Sequence, residues 1–140
     1  MPSFINISAL IASMISSVVL GFIWYGPLFG KHWMKHAGIK MPDKKPDASM
    51  MVKPVLLSFV GALLMTFALA SSIAFHGAYY GVSGYTSAVS LAFFLWLGFI
   101  VPTYLNFVGW EGKSWTLFAI NTGYWLVFLV IVARVIVALG

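Results

Sequence analysis

Cysteine is absent from this chain of 140 residues, and charged side chains are scarce. The lack of cysteine excludes disulfides, thiolate metal sites and a cysteine nucleophile. Charged residues make up 8% of the chain, whereas a soluble domain is usually about one quarter charged. With apolar residues at 61%, the charges cannot cover a water-soluble globule, so lipid must be the solvent for much of the chain.

Acidic residues are the scarcest charged group, and their positions argue against an enzyme. Asp43 and Asp47 share one polar stretch, and Glu111 stands alone. The sequence contains no paired carboxylates, nucleophile elbow, phosphate loop or zinc-protease motif. We therefore expect no enzymatic activity and no cofactor. The net charge of +5 comes mostly from one lysine-rich segment, so nucleic acid is not an expected partner.

Four apolar runs are long enough to cross a bilayer, which takes about 20 residues for a hydrocarbon core about 30 Å thick. They cover residues 4–25, 54–75, 85–108 and 115–138. These runs are too long and continuous for strands of a membrane barrel. No basic segment precedes the first run, so we expect that helix to stay in the mature protein. The prediction is an all-α, polytopic membrane protein, a single domain over residues 1–140 with four transmembrane helices in a bundle.

The lysines in the connections predict how the helices are oriented. The first connection, residues 27–53, contains six lysines, the third contains Lys113, and the second contains none. We expect the first and third connections in the cytoplasm, both termini outside, and the protein in a cell membrane, specifically a bacterial inner membrane. The six lysines are Lys31, Lys35, Lys40, Lys44, Lys45 and Lys53.

The start of the first connection has the pattern of a short amphipathic helix on the membrane surface. Trp33, Met34 and Ile39 would enter the interface, while the lysines from Lys31 to Lys53 meet anionic lipid headgroups at about 1 kcal/mol each. His32 and His36 are four residues apart, a spacing that can bind zinc. Because carboxylates and cysteines are not close by, we do not expect a metal site there.

Small residues recur at every fourth position along the first two predicted helices. In lipid, helices associate through close packing at small residues. We expect the two ridges to face each other or a second subunit, and we therefore expect a homo-oligomer. The ridges consist of Ala9, Ser13, Ser17 and Gly21 in the first helix and of Ser58, Ala62, Thr66 and Ala70 in the second.

Polar side chains gather near the cytoplasmic ends of the third and fourth helices. These helices are antiparallel and joined by a tight turn, so Asn106 and Asn121 are expected at similar depth. Pro102 is expected to kink the third helix and to free a carbonyl. Intramembrane polar groups are candidate site residues; the alternatives are a solute or ion site and, preferred, a hydrogen-bonded clasp of the hairpin. The group comprises Asn106, Glu111, Lys113, Asn121, Tyr25 and Tyr104.

A second polar group is expected at the outer ends of the helices. It consists of Asn6, His76 and Arg134. The preferred interpretation places Arg134 against headgroup phosphate, which a long side chain near a helix end can reach, and His76 in the interface. The alternative is a bond from Arg134 to Asn6 or to a neighbouring subunit.

Several motifs together resemble a known family. They lie at residues 24–34, 95–99, 102–106, 111–118 and 120–126. The chain is similar to the small membrane proteins of the domain of unknown function seventeen-sixty-one. This resemblance implies a four-helix membrane protein without an established activity. Family members usually have asparagine where this chain has Phe107, which weakens a solute site, and a small or apolar residue where it has Arg134.

These observations favour a non-enzymatic, homo-oligomeric membrane protein. The alternative is a small-solute or ion transporter or channel with its site at Asn106, Glu111 and Asn121. A membrane-embedded enzyme that uses Glu111 is the least favoured class, and it would require Glu111 to lie in a cleft beside a second titratable group.

Overall fold

The computed structural model describes residues 6–40 and 47–140, and within these ranges the chain is helical with no strand. A π-helical turn, Trp24–Leu28, follows α1, and a second, Trp96–Ile100, joins α4 to α5. The helices are α1 (Ile7–Ile23), α2 (Gly30–Ala37), α3 (Ala48–Tyr80), α4 (Tyr85–Leu95), α5 (Val101–Glu111) and α6 (Trp115–Leu139).

Four segments of the described chain are long and apolar enough to cross a membrane, which confirms the predicted fold class. The segments are Ile7–Leu28, Ala48–Tyr80, Tyr85–Glu111 and Trp115–Leu139. The ends of the last helix agree with the prediction to within one residue. That helix begins at Ser114, whose hydroxyl accepts a hydrogen bond from the Leu117 amide at 3.1 Å, as an N-cap does.

The second spanning helix is longer than predicted. The sequence pattern places its start at Pro54 and its end at residue 75, whereas α3 runs from Ala48 to Tyr80. Pro54 lies in the second turn of α3, at the seventh position, where its missing N–H costs one intrahelical hydrogen bond and does not end the helix. At 33 residues, α3 is about 50 Å long and extends well beyond the hydrocarbon core.

The predicted first connection also contains a helix, α2, which follows α1 almost directly. The backbone leaves α1 through a π turn, in which the Phe29 amide donates to the Trp24 carbonyl at 2.9 Å. Pro27 lies within this turn and has no N–H to continue the α-helical pattern. The second π turn ends at Ile100, two residues before Pro102, so the backbone departs from α-helical geometry next to the proline where a kink is predicted.

Helix α6 is at the centre of the bundle and contacts each of the other described helices. In its C-terminal half, α6 packs closely against α3 and α4. The core cluster there comprises Ala62, Leu69, Ala88, Ala92, Phe128, Leu129, Val132 and Ala133. Since the buried residues of α4 are Ala88 and Ala92, the backbones of α4 and α6 approach closely, as small-residue interfaces in lipid do.

The two predicted small-residue ridges pack on each other within the chain. Ala9, Ser13 and Ser17 of α1 are buried, as are Thr66 and Ala70 of α3. Near the start of α1, Ala9, Thr66 and Ala70 surround a gap of only about 10 Å³. At the other end of the interface the ridges separate, and there Gly21 is half-buried and Ser58 is exposed.

The two ends of the bundle are clearly distinguished. α1 begins beside the end of α6, where the Asn6 amide donates to the Leu139 carbonyl. α2 and the α5–α6 turn lie at the other end, joined by a hydrogen bond of 3.0 Å between Ser114 Oγ and His36 Nδ1. We call the latter the lysine end, because Lys31, Lys35 and Lys113 lie there. That it faces the cytoplasm remains the prediction from the lysine pattern.

Candidate functional site

One segment of α6, residues 120–125, forms hydrogen bonds with several other helices through side chains. The Tyr25 hydroxyl donates to Asn121 Oδ1 at 2.8 Å. The Tyr124 hydroxyl donates to the Ser17 carbonyl at 3.0 Å. Trp125 Nε1 donates to the Tyr104 hydroxyl at 3.0 Å. Helices α1 and α5 are thus attached to α6 by aromatic side chains that carry a polar group.

The two π turns contact the same segment of α6 in a similar way. Each turn begins with a tryptophan whose indole N–H donates to a backbone carbonyl of α6. Trp24 Nε1 lies 2.9 Å from the Ile120 oxygen, and Trp96 Nε1 lies 2.8 Å from the Thr122 oxygen. Gly123 permits this contact, because a Cβ atom there would lie 3.1 Å from Trp24 Cζ2.

Beside this hydrogen-bonded segment is a cavity of about 770 Å³, which we call the wedge cavity. It lies between α1, α2, α3, α5 and α6. Its walls are mostly aliphatic and aromatic, and none of the described residues that line it is charged. The aromatic residues in its wall are Phe22, Tyr25, Trp33, Tyr104, Tyr124 and Trp125.

The wedge cavity exists because α3 leaves the bundle at the lysine end. None of the residues 48–61 of α3 is buried, and close packing begins at Ala62. The opening lies between α1 and α3, where Phe22 is 59% exposed and Leu57 is 62% exposed. Both are large apolar side chains on spanning helices, so the cavity opens sideways, toward the position of lipid.

A smaller cavity of about 240 Å³ lies next to the first, at the lysine end. We call it the vestibule. Trp33 and Tyr104 line both cavities and form the partition between them. Glu111 and Lys113 also line the vestibule, and neither forms an ion pair with another described residue. Two oppositely charged, exposed side chains therefore border one small cavity without an ion pair to any described residue.

The structure brings together five of the six residues of the predicted inner group. Asn121 bonds to Tyr25, and Tyr104, Glu111, Lys113 and Asn121 all line the vestibule. Asn106 is excluded: it is exposed, and its side chain makes no hydrogen bond to another described residue. With 3.6 residues per turn, Asn106 lies about 200° around α5 from Tyr104, on the opposite face. Asn106 and Asn121, which the sequence places at similar depth, therefore do not bond to each other.

The predicted outer group is dispersed. Asn6 caps α1 by accepting from the Ser8 amide at 2.8 Å and bonds to the end of α6. His76 Nδ1 lies 3.3 Å from Ser87 Oγ, at the connection between α3 and α4. Arg134 is exposed and forms no hydrogen bond with another described residue, so the alternative of an Arg134–Asn6 bond is wrong.

The histidine pair of α2 serves in part to attach this helix to the bundle. His36 bonds to Ser114, whereas His32 is exposed. Among the described residues, no group of three metal-ligating side chains is present. Asp43, Lys44 and Lys45 lie outside the described residues. Trp33, which the sequence places in the membrane interface, is half-buried against Tyr25, with ring centroids 5.1 Å apart.

Sequence reasoning missed the contributions of Trp33, Tyr124 and Trp125 to the cavity walls. An aromatic side chain near the end of a spanning helix is typical of the interfacial belt, and the sequence pattern places Trp33 in the interface for that reason. The signal for Tyr124 and Trp125 was weaker still. Both residues lie in the middle of a spanning helix, where the phenol of Tyr124 and the indole of Trp125 require hydrogen-bond partners from the protein because hydrocarbon offers none.

The comparisons with known proteins agree with the motifs. The family described as "Protein of unknown function (DUF1761)" matches the chain over residues 8–137, which confirms the resemblance found in the sequence. Neither a curated protein nor a solved structure matches the chain.

Proposed function

This chain belongs to the DUF1761 family of proteins of unknown function, and we propose that it is a non-enzymatic membrane protein that binds one amphiphilic lipid in the wedge cavity. The observation that carries this proposal is the cavity itself, about 770 Å³ in volume, apolar, and open between two spanning helices. Binding sites for small molecules have volumes of about 300–1,000 Å³ and walls of this composition.

The polar groups of the wall support a ligand that is apolar with one polar part. The hydroxyls of Tyr25 and Tyr124 donate to Asn121 and to Ser17. The Tyr104 hydroxyl accepts from Trp125, and its own proton has no acceptor among the described residues. Tyr104 can therefore donate a hydrogen bond to a bound carbonyl, such as the ester carbonyl of a glycerolipid.

The depth of the cavity fits a lipid of the adjacent leaflet. On the first spanning segment its lining runs from Ser17 to Gly26, which is a rise of about 14 Å. That is about half the thickness of the hydrocarbon core. A chain inserted from the side would lie in this half of the bilayer, with its head at the lysine end.

The test fills the cavity and measures bound lipid. Gly61 lines the cavity, and a Cβ atom added there meets nothing within 4 Å, so Gly61→Phe places a large ring in the cavity without a clash at the backbone. After extensive detergent washing, native mass spectrometry should find one phospholipid per wild-type chain. The variant should hold at least about tenfold less, since a tenfold change is only 1.4 kcal/mol.

Gly109→Phe is the matched control. Gly109 is also helical, exposed and open, but it lies on α5 outside the cavity, so this variant should retain lipid as the wild type does. Equal retention of lipid by the Gly61 and Gly109 variants would contradict the proposal.

We propose that the lysine end faces the cytoplasm of a bacterial inner membrane. This rests on the lysine distribution alone. Trypsin added to sealed, right-side-out vesicles should leave the chain intact at Lys31, Lys35 and Lys40, and it should cut there once the vesicles are opened. Cleavage in the sealed vesicles would reverse the orientation.

Self-association stays a prediction, and its basis changes. The ridges that pointed to a second subunit pack on each other inside the chain, so a homo-oligomer would have to use other faces. The alternative of a transporter or channel with its site at Asn106, Glu111 and Asn121 has less support than lipid binding, because Asn106 faces away from Asn121 and none of the described residues around the wedge cavity is charged.

A further inference from the structure

We infer that the vestibule is the headgroup subsite for the lipid held in the wedge cavity, and that it selects a phospholipid with a zwitterionic headgroup ending in a primary ammonium. This inference rests on the proposed function and adds the chemical class of the ligand. It concerns Glu111, Lys113 and Asn121, which the apolar cavity does not use.

The two cavities are placed as the two parts of one amphiphile require. They meet at Trp33 and Tyr104, which line both. The hydroxyl proton of Tyr104, which no described residue accepts, lies at this boundary, where the ester groups of a glycerolipid separate its chains from its head. Glu111 ends the third spanning segment, so the vestibule lies at the level of the lipid headgroups.

The charges of the vestibule complement a phosphoethanolamine-type head. Lys113 and Glu111 are separated by Gly112, whose φ of 64° turns the chain back at the end of α5. Neither charge is paired within the described residues. The Lys113 ammonium can donate to a phosphate, and the Glu111 carboxylate can accept from an ammonium, each in a charge-assisted hydrogen bond.

Asn121 adds a neutral donor to this arrangement. Its Oδ1 accepts from Tyr25, which leaves Nδ2 without an acceptor among the described residues. The bond to Tyr25 also determines how the amide is oriented. A phosphate in the vestibule would therefore meet one cation and one oriented amide donor.

Other common headgroups fit less well. An anionic glycerol head would leave Glu111 without a positive partner and close to a like charge. A trimethylammonium head has no N–H to donate to Glu111, although Trp33 could attract it through its ring face. A head with both a phosphate and a primary ammonium satisfies both charged side chains, because the phosphate pairs with Lys113 and the ammonium with Glu111.

The experiment measures headgroup preference in nanodiscs that contain equal amounts of phosphatidylethanolamine, phosphatidylglycerol and phosphatidylcholine. Lipid retained after detergent extraction is counted by native mass spectrometry. The wild type should retain phosphatidylethanolamine about fivefold over each of the others, the size expected from one partly screened ion pair. Glu111→Gln should remove the preference over phosphatidylcholine while total bound lipid stays constant.

Lys113→Gln should lower the retention of all three phospholipids, since each has a phosphate. Lys35→Gln is its matched control, because Lys35 is exposed at the same end and lines neither cavity. This control should keep the wild-type profile. If Lys35→Gln changes the profile as much as Lys113→Gln does, the effect is one of general surface charge and the inference is wrong.

Two further outcomes separate the inference from the proposed function. If Gly61→Phe loses lipid but the wild type shows no headgroup preference, the subsite is wrong and the lipid-binding function stands. If soluble glycerophosphoethanolamine binds the wild type and the Gly61→Phe variant equally well, the ligand is a soluble headgroup, and both statements fail. Failure of this soluble compound to displace bound lipid supports the inference.

Discussion

The two halves of the bundle are held together by different interactions. In the half of the bundle at the lysine end, which we call the lysine half, aromatic side chains such as Tyr25, Trp24 and Trp125 form hydrogen bonds between helices, and two cavities lie beside them. In the opposite half, alanines of α3 and α4 pack around Phe128, which is fully buried. Among the described residues, the side-chain bonds between helices in that half lie only at its end, at Asn6 and His76.

The difference shows what each kind of contact allows. Small apolar residues let backbones approach until no space remains, which is the main source of helix association in lipid. Large aromatic residues with a polar group hold helices at a distance and leave space between them. A bilayer protein can therefore keep a cavity in one half only if the other half supplies the close packing.

The largest expected effect comes from overpacking the tight half. Ala133 is fully buried against α4, so Ala133→Leu should destabilise the protein by about 1–3 kcal/mol. Thermal unfolding in detergent micelles measures the loss. Ala119→Leu is the control, because Ala119 is an exposed residue of the same helix, and it should leave the unfolding temperature unchanged. Similar behaviour of the two variants would mean that the α4–α6 contact is loose.

A stabilising change is expected at Thr66. Its hydroxyl is fully buried between α1 and α3 and has no hydrogen-bond partner among the described residues. Thr66→Val keeps the shape and removes the unpaired group, so stability should rise by about 1–2 kcal/mol. Ser13→Ala is the contrasting variant and should not raise stability, because the Ser13 hydroxyl already donates to the Ala9 carbonyl at 2.7 Å. A loss of stability in Thr66→Val would indicate a partner such as a buried water.

In the lysine half, Trp24→Phe should cost about 1 kcal/mol. The substitution removes the indole bond to the Ile120 carbonyl and keeps an aromatic ring. Trp110→Phe provides the control, because Trp110 is 88% exposed and should tolerate the change. The same unfolding assay applies, and an equal loss for both tryptophans would assign the effect to ring size.

The smallest effect is expected for the bond between Tyr25 and Asn121. A double-mutant cycle with Tyr25→Phe and Asn121→Leu isolates the pair. Couplings of this type in a membrane protein average about 0.6 kcal/mol, and we expect a value of that size. Single-variant losses that simply add would show that the hydroxyl and the amide do not depend on each other.

The positions of the spanning helices were predictable, and their faces were not. The apolar run of α6 predicted its limits to within one residue, whereas Pro54 was taken for the start of α3 and lies inside it. Asn106 was assigned to the inner group from its depth alone. The π turn at Trp96–Ile100, with i→i+5 bonds, shifts the face of every later residue in that span.

The candidate site was predictable in part for the same reason. Glu111, Lys113 and Asn121 were identified because polar groups near the end of a spanning helix stand out against an apolar sequence. The wedge cavity was not predictable, because it depends on the angle at which α3 leaves α1. That angle follows from the close contacts of Ala62, Thr66 and Ala70 farther along the helix.

The sequence by itself determined the solvent of this protein and the number of times the chain crosses it, since both depend on sums of residue hydrophobicity over about 20 positions. Only the tertiary structure decided which polar groups meet, which ridge is covered and where space remains. Those properties depend on how helices are rotated and tilted against each other, and rotation and tilt result from contacts between residues far apart in the chain.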